Sequence, residues 1–146
     1  LRIVGEILQA TRAEIGDDLV MGVRLNGDDG HEGGLGPDEW ADIAARLEAA
    51  ARLDYVSVSQ GTYLNRMLIY PTAPVAHGYQ MAATRRLKQA VRAPVVGVGR
   101  IVTPEEAEAH LAAGDCDFVA MARALIADPE WVAKAERGDA ASIRPA

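Results

Sequence analysis

Apolar positions change period along this chain, and the changes mark its elements. Ile3, Ile7, Leu8 and Ala10 recur at helical spacing, and Gly16 follows as a stop. Residues 19–25, Leu-Val-Met-Gly-Val-Arg-Leu, form a short apolar run of strand length. A Gly- and Asp-rich stretch fills 26–36, and the spacing then predicts a helix from Pro37 through Trp40, Ile43, Ala44, Leu47 and Ala51. Pro at its first position and acids in its first turn suit a helix start. A strand follows at 54–59, a long loop at 60–79, a helix at 80–92 closed by Pro94, and a strand at 95–99. Thr103-Pro104-Glu105-Glu106 is a capping box, and Gly114 ends the helix that it opens. Residues 118–122 make a fourth strand, and Asp128-Pro129-Glu130 opens a last helix that Gly138 closes.

This order, α-βαβαβαβ-α, implies an α/β fold with parallel strands and crossover helices. Asp54-Tyr55-Val56 follows an alanine run, and Asp117-Phe118-Val119 follows Ala112-Ala113-Gly114, a faint internal repeat. Four such strands make either a small open sheet or half of an eight-stranded barrel, because a whole barrel takes about 250 residues. The half-barrel would leave two bare strand edges, which need cover.

The chain has 146 residues, of which 49% are hydrophobic and 25% charged, so one domain spanning 1–146 with a buried core is expected. The net charge is −6 with no basic stripe, and aromatics are 5%, which argues against nucleic acid as a partner. No run of about 18 apolar residues exists to span a membrane. The first residues lack the layout of a signal peptide and begin without Met, so the sequence reads as a piece of something longer. Cys116 stands alone, which rules out an internal disulfide and suits a cytoplasmic protein in which it is a small buried hydrophobe.

Candidate chemistry collects where the strands end. The third strand runs into Gly99-Arg100 and the fourth into Ala122-Arg123. Small residues let backbone N–H groups approach an anion, and arginine supplies a planar fork suited to phosphate. Loops after the last two strands of a (β/α)8 barrel are a frequent phosphate site. Tight turns with solvated arginines are the bland alternative. Arg24 interrupts an apolar strand near its end; it either pairs structurally, the reading favoured by sequence alone, or points into a site. Thr62 and Tyr63 leave the second strand on the same side and are candidate substrate or flavin contacts. His31 lacks the second histidine of a zinc motif and reads as part of a flexible turn, His77 lies in the long loop, and His110 reads as a surface residue.

Taken together, Val23-Arg24-Leu25, Glu32-Gly33-Gly34, Asp54 to Gly61, Gly97-Val98-Gly99-Arg100 and Asp117 to Arg123 with Asp128-Pro129 resemble the old yellow enzyme family. The resemblance covers nearly the whole chain and is nearest to the multidomain branch containing trimethylamine dehydrogenase and 2,4-dienoyl-CoA reductase. It implies an FMN-dependent oxidoreductase, and for this chain the C-terminal half of the barrel, four βα units. Arg24 would face the flavin N1 and O2 edge, while Gly99, Arg100, Ala122 and Arg123 would hold the FMN phosphate. Ala122 stands where much of the family has Gly. Thr62 falls where trimethylamine dehydrogenase-like enzymes carry an acidic substrate-contact residue. NAD(P)H would serve as electron donor to a flavin acting on a small-molecule substrate. The catalytic His and Tyr positions would lie in the first four strands, outside this chain. The branch's cluster cysteine has no counterpart at Ala146, so no 4Fe–4S centre is expected here. A chain of this kind is expected to be inactive alone, covered by an N-terminal half-barrel or by a second copy in a homodimer. Two other readings stand beside it: a phosphate-binding isomerase or lyase half-barrel, and a non-catalytic α/β ligand-binding module.

Overall fold

A computed structural model describes residues 1–72 and 74–146. Helix α1 (Arg2–Ile15) leads into β1 (Gly22–Asn26), and α2 (Pro37–Ala50) joins it to β2 (Tyr55–Ser59). A 3-10 turn at Tyr63–Asn65, α3 (Arg66–Ile69) and α4 (Met81–Lys88) precede β3 (Val95–Gly97). Helix α5 (Pro104–Ala112) leads to β4 (Phe118–Val119), followed by α6 (Arg123–Ala127) and α7 (Trp131–Glu136). The strands form one parallel sheet in the order β1-β2-β3-β4. Parallel neighbours need a helical crossover between them, and α2, α4 and α5 supply it. The arrangement is that of part of a (β/α)8 barrel.

The capping signals act as the sequence predicts. The Glu39 carboxylate accepts the Gly36 N–H at 3.0 Å to start α2. The Thr103 hydroxyl accepts the Glu106 N–H at 3.2 Å, and Glu106 returns a bond from the Thr103 N–H at 3.3 Å. Alternation along the strands then decides which face is buried. Val56, Val58 and Val95 pack with Leu47 and Leu87 under the helices, with Val23 and Leu25 beside them. A second cluster joins Met81, Ile101, Ala107, Cys116, Ala124 and Trp131. Cys116 is buried there, and burial pushes its thiol up from the ordinary value.

The other sheet face carries Arg24, Ser57, Val96 and Phe118 in a single row across four strands. Its large side chains are open to solvent, with Tyr55 38% and Phe118 58% exposed. No described helix is long and apolar enough to cross a membrane.

Several boundaries differ from those expected. The first strand begins at Gly22, leaving Leu19 and Val20 exposed ahead of it. Strands β3 and β4 stop at Gly97 and Val119, because the backbone beyond them turns into loops rather than continuing the ladder. Helix α4 ends at Lys88, four residues early, and two short helical pieces, at 63–69 and 123–127, stand where none was expected. The 26–36 stretch is not a loose turn. Asp29 ties it together by accepting from Asn26 Nδ2 at 2.7 Å, the Leu35 N–H at 2.8 Å and Trp40 Nε1 at 3.1 Å.

Candidate functional site

All parallel strands end on one side, so the segments after β1, β2, β3 and β4 form a common edge. The turn after β3 is the most constrained of them. Gly99 has φ +154°, and a Cβ there would lie 3.1 Å from the Gln80 backbone nitrogen. Arg100 follows with φ +55°, a left-handed conformation rarely adopted by side chains that are not glycine. The Arg100 guanidinium donates to the Val75 carbonyl, and Arg123 Nη1 donates to the Pro71 carbonyl at 2.7 Å. Both arginines thereby tie the long loop to the ends of neighbouring strands.

Arg100, Ala122 and Arg123 line one cleft of about 70 Å³ together with Val98, Ile101, Val102, Ala120 and Met121. That is room for a small anionic group. Arg123 is exposed and Arg100 half-buried, so each keeps contact with solvent while bonded to the loop. Gly99 adjoins the cleft through the chain, with its own α-carbon turned toward Gln80.

Arg24 stands elsewhere on the same edge. It is exposed on the open sheet face, paired in register with Ser57. Among the described residues no carboxylate pairs with it. Two to three strand spacings separate β1 from β3 and β4, about 10–14 Å.

Residues 1–141 match the family described as NADH:flavin oxidoreductase / NADH oxidase. The chain belongs to that family. An NADH oxidase of Thermoanaerobacter brockii is 35% identical over 144 residues, covering 99% of this chain and 22% of that protein. An N,N-dimethylglycine/sarcosine dehydrogenase of Chromohalobacter salexigens is 37% identical, covering 95% of this chain and 20% of that protein. Among solved structures, a 2-naphthoyl-CoA reductase–2-naphthoyl-CoA complex superposes with a TM-score of 0.84 at 34% identity, over 99% of this chain and 22% of that one. Histamine dehydrogenase from Rhizobium sp. 4-9 gives 0.80 at 27%, over 97% of this chain and 20% of that one. The chain thus spans about a fifth of the length of these relatives.

Other parts of this NADH:flavin oxidoreductase family chain bear on the site. Thr62 caps the 3-10 turn, its hydroxyl accepting the Leu64 N–H at 3.3 Å, while Tyr63 is 80% exposed. Two residues that sequence reasoning missed stand beside the arginines. Tyr79 donates its hydroxyl to the Leu68 carbonyl at 2.7 Å and accepts from Gln80 Nε2 at 2.5 Å. Burial pushes the Tyr79 hydroxyl up, against the Gln80 hydrogen bond and the nearby charge of Arg123. Gln80 is buried, and among the described residues its Oε1 has no hydrogen-bond partner. Neither residue belongs to a motif, so no sequence signal marks them.

One of the three histidines departs from expectation. His110 is not a plain surface residue: its Nδ1 lies 2.8 Å from the Asp115 carboxylate. His77 Nδ1 lies 2.6 Å from Glu106. Among the described residues no group of three His, Cys, Asp or Glu is placed to hold a metal.

Proposed function

We propose that this chain carries the FMN-phosphate cleft and the ring-edge arginine of an FMN-dependent oxidoreductase. The observation that carries the reading is the convergence of Arg100 and Arg123, from successive strands, on one small cleft in a chain of this family. A guanidinium has five N–H donors in a fixed fork. Bonds to loop carbonyls orient both guanidinium groups beside the cleft. The donor set fits a phosphate group, and the glycine at 99 leaves the turn without a side chain against Gln80.

Bound FMN would supply two-electron redox chemistry at its ring. Arg24 would hold a permanent positive charge at the N1 and O2 edge, the place where negative charge needs support. The strand spacing between Arg24 and the cleft suits an extended nucleotide laid across the edge of the sheet. Thr62 and Tyr63 would border the small-molecule substrate, and NAD(P)H would serve as electron donor. The family match favours this over the isomerase or lyase reading and over a non-catalytic module.

The reading also has the open sheet face covered by further βα units, from a longer chain or a second copy. Supporting it, the chain exposes 8501 Å², against roughly 7,200 Å² for a compact chain of its 15.5 kDa.

Flavin titration tests the proposal. FMN should bind saturably, with affinity lost in Arg123→Ala and the visible spectrum altered in Arg24→Ala. Equal FMN binding by wild type and Arg123→Ala would sink the phosphate assignment.

A further inference from the structure

On α5, Glu106 and His110 are four residues apart and share a face. The loop segment His77-Gly78 is seated on that face. His77 Nδ1 lies 2.6 Å from Glu106 Oε1, and the His110 ring stands under Gly78. A Cβ at Gly78 would come within 2.6 Å of His110 Nε2. Such a contact at the end of a side chain is harmless when that side chain can swing away, and this one is tethered. Its Nδ1 is bound to Asp115 Oδ2 at 2.8 Å, and the Asp115 carboxylate, buried, also takes Arg85 Nε at 2.5 Å. The imidazole therefore sets how closely the Gly78 backbone can approach α5.

Gly78 passes that position on. Its N–H donates to the Gly99 carbonyl at 2.7 Å, and its carbonyl accepts the Met81 N–H at 2.8 Å at the start of α4. The bond to Gly99 falls at the turn that holds two residues with positive φ, Gly99 and Arg100. Left-handed backbone at a non-glycine residue persists only where its surroundings hold it.

We infer that His110 is a positioning residue for the Gly99-Arg100 turn: the imidazole, fixed by Asp115, props Gly78 so that its N–H holds the Gly99 carbonyl. The inference rests on the proposal that this turn is part of the FMN-phosphate cleft. A simple staple between α4 and α5, through Arg85, Asp115 and His110, would change stability without distinguishing between ligands.

The experiment compares FMN with riboflavin, which lacks the phosphate, in wild type, His110→Ala, Gly78→Ala and the double variant. Hydrogen exchange at the Gly78 amide is followed alongside. His110→Ala should weaken FMN about tenfold while riboflavin changes less than about twofold, the size expected from disturbing one charge-assisted hydrogen bond. The Gly78 amide should exchange faster in that variant. Gly78→Ala should also weaken FMN, and the double variant should fall short of the summed losses, because the clash is gone while the strain of an alanine at φ +68° remains. Equal effects on both flavins, or none, with unchanged Gly78 exchange, would overturn the inference. If wild type binds neither flavin, the phosphate reading fails, and Gly78 exchange in His110→Ala alone decides whether His110 props the turn.

Discussion

The Asp54 carboxylate accepts the Met21 N–H at 2.8 Å, and the Asp54 N–H donates to the Met21 carbonyl at 2.8 Å. Asp117 does the same with Val95, again at 2.8 Å in both directions. A cation sits on each aspartate, Arg12 at 2.6 Å on Asp54 and Lys88 at 2.7 Å on Asp117. Each aspartate precedes a strand and grips the start of the neighbouring one, which fixes the register of the β1-β2 and β3-β4 pairs. The faint Asp-aromatic-Val repeat in the sequence is thus a repeated strand clamp.

That clamp makes stability depend on acid. The Met21 N–H, then Arg12, hold the Asp54 carboxyl at about 2, below the ordinary aspartate value of 3.8. A carboxylate depressed by folding contributes stability that is fully present above its unfolded value and is lost as pH falls toward its folded value. The loss should therefore fall between about pH 4 and pH 2. Asp54→Asn should be less stable at neutral pH and show a shallower decline over that window, read from urea midpoints as a function of pH. Asp128 is held at about 2 by Lys134 and the Arg144 N–H, so part of the acid dependence should survive. Parallel curves for wild type and variant would refute the assignment to Asp54.

Burial predicts a sharp contrast between two leucines. Leu87 is 0% exposed and packs with Val56, Val58 and Val95, whereas Leu64 is 81% exposed. Leu87→Ala should cost about 2–5 kcal/mol through lost transfer energy and an unfilled cavity. Leu64→Ala should change stability by no more than about 0.5 kcal/mol. Denaturant unfolding with unchanged slope would read both.

The same distinction explains what was legible in the sequence. Helix starts at Pro37 and Thr103, and the alternation in β2, follow from local chemistry and agree with the structure. The arginine anchors did not, because Arg100 and Arg123 bond backbone carbonyls 25 and 52 residues away, and any residue type presents a carbonyl. Their proximity to each other was suggested by two similar strand ends. The turn at 63–69 is too short for a period to show. Arg24 reads as a structural pair because charged residues in strands usually find one, whereas on the sheet's open face no carboxylate among the described residues pairs with it.

The cleft separates the two basic residue types. Arg123 fixes its fork on the Pro71 carbonyl while lining the cleft with Arg100. A lysine keeps the charge and loses the planar pair of donors. Arg123→Lys should therefore bind FMN more weakly than wild type but more tightly than Arg123→Ala, with riboflavin affinity alike in all three. Lysine matching arginine would show that charge alone matters there.

The turn at Gly99 offers the most stringent comparison, because another glycine controls for strain. Gly99→Ala places a Cβ 3.1 Å from the Gln80 nitrogen at φ +154°, and Gln80 is buried, so neither side has room to yield. Gly114 also has a positive φ, +71°, but nothing lies within 4 Å of a Cβ built there. Gly114→Ala should cost about 1–2 kcal/mol from backbone strain. Gly99→Ala should add the clash to that cost and shift Arg100 away from the cleft. FMN affinity should then fall in Gly99→Ala alone, measured under conditions where both variants remain folded. Equal losses of FMN affinity would trace the effect to overall stability and remove the turn from the site.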